Sequence, residues 1–247
     1  MMEWSDEGIV LAVRRHGESA AIVSLLTTEH GRHAGLVRGG ASRRIRGVLQ
    51  PGNTVSATWR ARLEEHLGAY IVEPLRNCAA LYERRGPLAA LTAATALVEA
   101  ALPERAPHPE LCRSLGDLLD ALEGPDWAES YVRWELLLLA DLGFGLDLAT
   151  CAATGANDGL AWVSPKSGRA VSLSAGEPWR NQLLPLPRFL APEGGAADAG
   201  QVVDGLRLTG WFLERHVFAP HDRKSPDARE RLVTHLRGLD ADRRDIV

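Results

Sequence analysis

Cysteine, lysine and long apolar runs are what this 247-residue chain has least of. Its three cysteines, Cys78, Cys112 and Cys151, stand far apart and are odd in number. That excludes a disulfide framework and suits a reducing compartment. No stretch approaches the ~20 consecutive apolar residues of a membrane span. The start, Met-Met-Glu-Trp-Ser-Asp-Glu, is acidic where a secretory signal is basic and then apolar. The chain is expected to be cytoplasmic, with no membrane attachment.

Several catalytic signatures are missing too. Lysine occurs only at Lys166 and Lys224, and neither follows a glycine, which excludes a Gly-Lys-Ser/Thr phosphate loop. There is no Gly-x-Ser-x-Gly elbow, and Gly143-Phe144-Gly145 does not complete a dinucleotide fingerprint. His30 and His33 flank a turn, and His216 and His221 have similar spacing. Both pairs read as ordinary histidines in preference to metal ligands. Cys78 and Cys112 fall among apolar helical residues and read as inert buried thiols. The chain is not expected to be an enzyme and needs no cofactor.

What is present is arginine, unevenly placed. The formal net charge is -4, yet residues 1–80 hold ten arginines against eight acidic residues, a net of +2. Arginine forks match phosphate oxygens and stack on bases; a GC-rich genome produces the same bias. Over this stretch, apolar alternation marks five strands, near 9–13, 21–26, 34–37, 54–59 and 69–72. Glu29-His30-Gly31-Arg32 reads as a tight turn in which glycine takes a positive φ. Five short antiparallel strands predict a small closed barrel, because closure removes exposed edges. The segment RGGASRRIRGVLQPGN, between strands three and four, reads as an irregular loop crowded with Arg38, Arg43, Arg44 and Arg46. On strand four, Val55, Ala57 and Trp59 share one face. Ser56, Thr58 and Arg60 share the other, with Arg62 continuing a polar row able to track a phosphate backbone.

Beyond Asn77 the pattern turns helical. Helices are expected over about 81–102 and 111–122, and a third over WAESYVRWELLLLADLG, with Asp126 and Glu129 as its capping pair. This third helix is apolar nearly all round and should be the buried centre of its domain. Two further helices are expected over about 201–218 and 226–236.

Taken in order, Gly8-Ile9-Val10-Leu11, His30-Gly31-Arg32, Gly47-Val48-Leu49-Gln50-Pro51-Gly52, the run from Trp134 to Gly145, and the Cys151 region with VSPKSGRAVS resemble the RecO family of bacterial recombination mediators. The resemblance covers nearly the whole chain. It implies an α+β protein: a five-stranded OB-type barrel over 1–78, then a helical domain over 79–247 carrying a zinc-ribbon-like insert over 147–176. Family members with zinc place Cys-x-x-Cys twice in that insert. Here the pairs read Cys151-Ala-Ala-Thr154 and Ser172-Leu-Ser-Ala175, one thiolate of four. Neutral hydroxyls do not replace thiolates, so no metal is expected. The insert should be held by its own packing, with Asn157-Asp158-Gly159 turning a hairpin and Leu160, Trp162 and Val163 supplying core.

By resemblance, the function is to bind single- and double-stranded DNA, anneal complementary strands and help load a recombinase onto DNA coated with single-strand-binding protein. The implied partners are DNA, RecR and the C-terminal tail of single-strand-binding protein, and the implied place is the nucleoid. Candidate phosphate contacts are Arg32, Arg38, Arg43, Arg44, Arg46, Arg60 and Arg62, with Arg223, Lys224 and Arg229 in the basic terminal motif. Arg133 is the candidate cation for the acidic tail, or else the partner of Glu129 in an internal salt bridge. The competing readings are an interaction adaptor whose barrel binds protein instead of DNA, and a hydrolase whose cysteine or histidine site is assembled from distant positions.

Overall fold

The structure, a computed structural model, describes residues 1–244. The last three residues of the expected second domain lie outside the described residues. The chain forms two compact units, Met1–Gly124 and Pro125–Val247.

All five expected strands are present: β1 (Met2–His16), β2 (Ala20–Thr27), β3 (Gly31–Val37), β4 (Thr54–Ala61) and β5 (Ala69–Arg76). They close into a barrel in the order β1-β2-β3-β5-β4. The long β1 makes closure possible. Its first half pairs with β4, from Met2↔Ala61 to Ile9↔Thr54, and its second half pairs with β2, from Gly8↔Thr27 to His16↔Ala20. A short parallel contact, Leu36↔Ala69 and Val37↔Tyr70, joins β3 to β5. The alternation expected on β4 holds, since Val55, Ala57 and Trp59 are buried with Val10, Val23, Leu25 and Tyr70.

An aromatic group lies in the barrel. Trp4 stacks on His30 at 3.9 Å and on Trp59 at 5.7 Å, and the Tyr70 hydroxyl lies 2.9 Å from His33 Nδ1. Burial, helped by the charges of Arg105 and His30, lowers the His33 pKa to about 4. Gly31 takes φ +63°, as its turn requires, and a Cβ there would sit 1.8 Å from the Ala106 carbonyl oxygen.

The RGGASRRIRGVLQPGN segment is not irregular throughout. Residues Arg43–Val48 form a short helix, α1. Ile45 and Val48, three apart, pack against the barrel core with Leu49, which provides the anchor that glycine and proline content obscured. Ser42 caps the start by accepting from Ile45 N–H. At the end, Asn53 Nδ2 donates to the Gly47 and Val48 carbonyls at 3.1 and 3.0 Å, and Gln50 Nε2 donates to the Arg46 carbonyl at 2.8 Å. Those carbonyls have no partner inside so short a helix.

After α2 (Ala79–Tyr82), α3 (Arg85–Ala101) stops where Pro103 forces Leu102 to an extended backbone. Next comes α4 (Pro109–Ala121), with proline in its first turn. These helices belong to the barrel's own unit. Ser24 Oγ donates to Glu99 at 2.5 Å, Arg32 Nε donates to the Leu102 carbonyl at 2.9 Å, and Thr28 Oγ1 meets Cys112 Sγ. The compact unit that contains the barrel therefore runs to Gly124.

In the second unit, α5 (Trp127–Asp141) buries Tyr131, Val132, Trp134, Glu135, Leu138 and Leu139. It is not buried all round, because Arg133 and Leu137 face solvent. Nor does Asp126 cap it; Glu129 accepts from Arg133 instead. The insert is a three-stranded sheet in the order β7-β6-β8, with β6 (Leu160–Val163), β7 (Ala170–Ser172) and β8 (Leu184–Pro185). Asn157-Asp158-Gly159 precedes β6 and turns no hairpin. The β6–β7 turn is closed instead by Gly168 N–H to the Ser164 carbonyl and Ser164 N–H to the Arg169 carbonyl. Leu160 and Val163 are buried as expected, and Trp162 is half-buried. After α6 (Leu173–Gly176), α7 (Ala199–Phe212) continues through a turn of π-helix, Leu213–Phe218, and α8 (Asp227–Arg244) follows. None of the described helices is long and apolar enough to cross a membrane.

Candidate nucleic-acid interface

The faces of the barrel differ sharply in what they leave open to a polyanion. The outer side of β2 and β3 is occupied by α3 and its following loop, which place Glu99 and Glu104 against Arg32 at 3.4 and 3.3 Å. Arg32 is thus a tie between strand and helix. Its guanidinium is largely buried and doubly paired, and this placement corrects its reading as a phosphate contact.

The polar face of β4 is corrected as well. Its neighbours across the sheet are Glu3, Ser5 and Glu7 on β1 and Glu73 on β5, through the pairs Arg60↔Glu3, Thr58↔Ser5, Ser56↔Glu7 and Ser56↔Glu73. Arg60 Nη2 donates to Glu3 Oε1 at 2.9 Å. Three carboxylates around one neutralised arginine repel phosphate. Period two correctly placed the β4 side chains, but pairing supplied acidic partners far away in sequence. Arg62 is exposed just beyond β4, near the start of β1.

The remaining end of the barrel is basic. The tip of the β1–β2 hairpin and the segment leading into α1 are joined by a hydrogen bond from Ala41 N–H to the Ser19 carbonyl at 3.0 Å. Pairing runs Arg15↔Ala21↔Val37 across three strands, and Arg38 follows directly. Since Ile45, Val48 and Leu49 hold α1 by its apolar side, Arg43, Arg44 and Arg46 project to solvent. With Arg14, Arg15 and Arg38 they make six exposed arginines on two joined segments. Among the described residues none of the six has a carboxylate within salt-bridge distance. Arg15 Nη2 donates to the Glu18 backbone carbonyl at 3.2 Å.

Arg14 and Arg15 were not among the sequence-level candidates. They end a strand whose far end is acidic, and only the hairpin contact brings them to α1. The signal available was the Arg14-Arg15-His16 run placed immediately before a glycine turn.

The basic terminal motif divides. Arg223 and Lys224 are exposed in the loop before α8, whereas Arg229 is buried and cannot reach DNA. Its Nε and Nη2 donate to Glu135 Oε1 and Oε2 at 2.7 and 2.8 Å, and Nη2 also donates to the Leu206 carbonyl at 2.8 Å. Thr209 Oγ1 completes the carboxylate's shell at 2.5 Å. Burial opposes the guanidinium's charge, but Glu135 more than offsets it and holds the proton above the ordinary arginine value. Glu135, within the run Trp134 to Leu139, is the partner that sequence reading missed. A carboxylate among buried leucines was the signal, because such a group is almost never buried unpaired.

Arg133 is half-exposed and already engaged. It bonds Glu129 at 2.7 and 2.9 Å, donates to the Phe189 carbonyl at 2.5 Å and lies 5.4 Å from the Phe189 ring centroid. The internal salt bridge of the two open readings is therefore present.

The insert does not suit zinc. Cys151 Sγ is buried and accepts from Ser172 N–H at 3.2 Å, with Ser172 Oγ at 3.5 Å. Burial alone would raise its pKa. Hydrogen bonds from Thr154, from Ser172 and from the Ala153 backbone overcome this and bring it down to about 6. Thr154, Ser172 and Ala175 stand at the other three positions of the two Cys-x-x-Cys pairs, and none carries a thiolate. No group of three or more His, Cys, Asp or Glu residues able to hold a metal occurs among the described residues. Cys78 and Cys112 are buried, and burial raises both thiols.

Comparison with known proteins agrees with this architecture. The family models Recombination protein O N terminal and Recombination protein O C terminal match residues 1–77 and 84–225. The DNA repair protein RecO of Rhodospirillum rubrum is 56% identical over 245 residues, covering 96% of this chain and 97% of that protein. That of Rhodospirillum centenum is 57% identical over 239 residues, covering 96% and 95%. That of Cereibacter sphaeroides is 53% identical over 238 residues, covering 96% and 99%. With both halves matched and relatives of this name aligned over almost their full length, the chain belongs to the RecO family of DNA-repair proteins.

Proposed function

We propose that this protein is a recombination mediator that binds single- and double-stranded DNA and anneals complementary strands. The reading includes helping to load a recombinase onto DNA coated with single-strand-binding protein, with RecR as a partner. The observation that carries it is the exposed arginine cluster at one end of the barrel, formed by Arg14, Arg15, Arg38, Arg43, Arg44 and Arg46 and without a carboxylate partner among the described residues. Annealing needs two polyanions held close with their repulsion reduced, and counterion release at a cluster of arginines supplies that without covalent chemistry. Phosphate contacts position a strand without reading its sequence, so base-sequence selectivity is slight. Arg223 and Lys224 are secondary contacts. A cytoplasmic, nucleoid-associated place and the lack of a catalytic role follow from the same reading.

For the tail of single-strand-binding protein, the proposed site is the open strip of α5, where Leu137 lies one turn beyond Arg133. A tail carboxylate there exchanges with Glu129 for the guanidinium.

The adaptor reading has one observation in its favour. Ile71 and Leu75 on β5, with Leu63 and Leu67 in the preceding loop, are exposed apolar residues beside the acidic face. That surface suits a protein and repels nucleic acid.

Fluorescence anisotropy of labelled single-stranded DNA across a salt series separates the two. Mediator binding gives a slope of log affinity against log salt of about -0.7 for each phosphate neutralised, summing over several phosphates. Absence of binding at low salt would leave the adaptor reading.

A further inference from the structure

A cavity opens beside the arginine cluster, and two of its members, Arg15 and Arg46, line it. Its volume is about 580 Å³, and it opens at the mouth of the barrel between the β1–β2 hairpin and α1. Val13, Ala21, Leu49 and Pro51 supply apolar lining, and Arg15, Arg46 and one carboxylate, Glu18, lie among the lining residues. The strand register explains the mixture. Ala21 and Val37 face the core, so Arg15, paired with Ala21, emerges on the interior side of the sheet at its rim. Gly39 and Gly40 keep one wall low: Gly39 turns with φ +69°, and a Cβ on Gly40 would fall 2.8 Å from Ala21 Cβ.

Barrel mouths are common sites for small ligands, and a few hundred Å³ is the usual size. This one combines an apolar interior with a rim on which two arginines outnumber one carboxylate, Glu18. A ligand with a flat, weakly polar part attached to an anionic part satisfies both. We propose that the cavity receives an unpaired nucleobase of a single strand, while Arg15 and Arg46 hold the neighbouring phosphates. The inference rests on the mediator reading and deepens it, by making the same site distinguish single strands from duplex. In a duplex the bases are stacked and paired, and inserting one requires unstacking it at a cost of a few kcal/mol. In a single strand that cost is largely absent. An arginine guanidinium can cover a base face, which supplies a stacking surface in a cavity without lining aromatics.

The test compares two labelled strands of equal length and equal phosphate number, one of ordinary mixed sequence and one of abasic deoxyribose phosphate, by anisotropy across a salt series. The base-bearing strand is expected to bind about tenfold tighter at every salt concentration, with the same slope, since bases add contacts but no charge. Replacing Ala41, which lines the cavity, by leucine should reduce the difference while leaving abasic-strand affinity and melting temperature unchanged, since leucine fills space without offering a base a stacking face. Should A41L fail to fold, Ser19→Leu fills the cavity from the hairpin side. Equal affinity of the two strands with a steep salt slope overturns the base pocket and leaves the phosphate reading standing. An undiminished preference in a folded, cavity-filled variant also overturns it. Salt-dependent binding by neither strand removes the mediator reading and the pocket with it.

Discussion

Arginine has opposite fates in two regions of this molecule. At the barrel mouth, Arg43, Arg44 and Arg46 stand in water on a one-and-a-half-turn helix, held by its apolar side and without a carboxylate partner among the described residues. In the second unit, Arg229 is 3% exposed and locked to Glu135, Thr209 and the Leu206 carbonyl. The hydrated arginines keep their charge available to an outside anion, because no carboxylate among the described residues pairs with them. Arg229 has exchanged hydration for an internal anion and has no further charge to offer. Exposure and partnership, more than the residue type, decide whether an arginine serves binding or folding. Arg32 and Arg60 lie between these limits, each spent on a carboxylate that the fold brings near.

The comparison breaks most visibly at the buried pair. Replacing Glu135 by Ala strands a buried guanidinium, and thermal or urea unfolding should report a loss of about 3–5 kcal/mol. The double variant E135L/R229M should recover most of that loss, because apolar groups of similar volume remove the need for a partner. DNA affinity per folded molecule should stay the same in both. A drop in affinity at unchanged folding would mean that Arg229 reaches DNA after all.

Next in size is the hydrated cluster. The triple replacement R43A/R44A/R46A should reduce the salt slope on single-stranded DNA by about 2, if each arginine neutralises one phosphate. Affinity for all sequences should fall alike, with stability changing by no more than about 0.5 kcal/mol per exposed site. Arg60→Ala, by contrast, should barely move the slope, since Glu3 already holds that charge. A slope equally sensitive to Arg60 would erase the distinction between the two faces.

A smaller effect sharpens the account of the barrel. His33 has its pKa lowered to about 4 in the folded state, so the unfolded chain, with an ordinary value near 6.5, binds more protons between these limits. His33's contribution to stability is fully present above about pH 6.5, declines as pH falls through the window, and is lost below about 4. Urea midpoints measured at intervals over this range should show that decline, and His33→Gln should flatten it. A wild-type curve flat from pH 6.5 to 4 would contradict the buried neutral imidazole.

The smallest expected effect is none. Metal analysis of the purified protein should find no stoichiometric zinc, and a chelator should leave the melting temperature unchanged. One-to-one zinc resistant to chelation would mean that Cys151 has found ligands other than the hydrogen-bond donors around it.

Much of the architecture was readable from local pattern. Alternation located all five strands because a half-buried strand must alternate, and His30-Gly31-Arg32 marked its turn because only glycine takes that φ cheaply. The misreadings share a cause. Gly47 and the Pro51-Gly52 pair suggested an irregular loop, yet Asn53 and the barrel core stabilise α1 from outside the helix. Asn157-Asp158-Gly159 has turn chemistry but forms no hairpin, because the strands that pair, β6 and β7, are joined by residues 164–169. Asp126 and Glu129 have the spacing of a capping pair, and Arg133 claims Glu129 instead.

The candidate site was half legible for the same reason. Arg38, Arg43, Arg44 and Arg46 were visible as a cluster because they are close in sequence. Arg14 and Arg15 required the Ala41–Ser19 contact to join them, and Arg32, Arg60 and Arg229 could be withdrawn only once Glu99, Glu104, Glu3 and Glu135 were seen beside them. Sequence by itself determined the strands, most helices, the α+β class, the lone thiolate of the insert and the family, since each depends on residues near one another or on their order. Tertiary structure alone decided which arginines keep a free charge and where the cavity opens. A charge is cancelled by whatever lies within a few ångströms of it, and those neighbours come from distant parts of the chain.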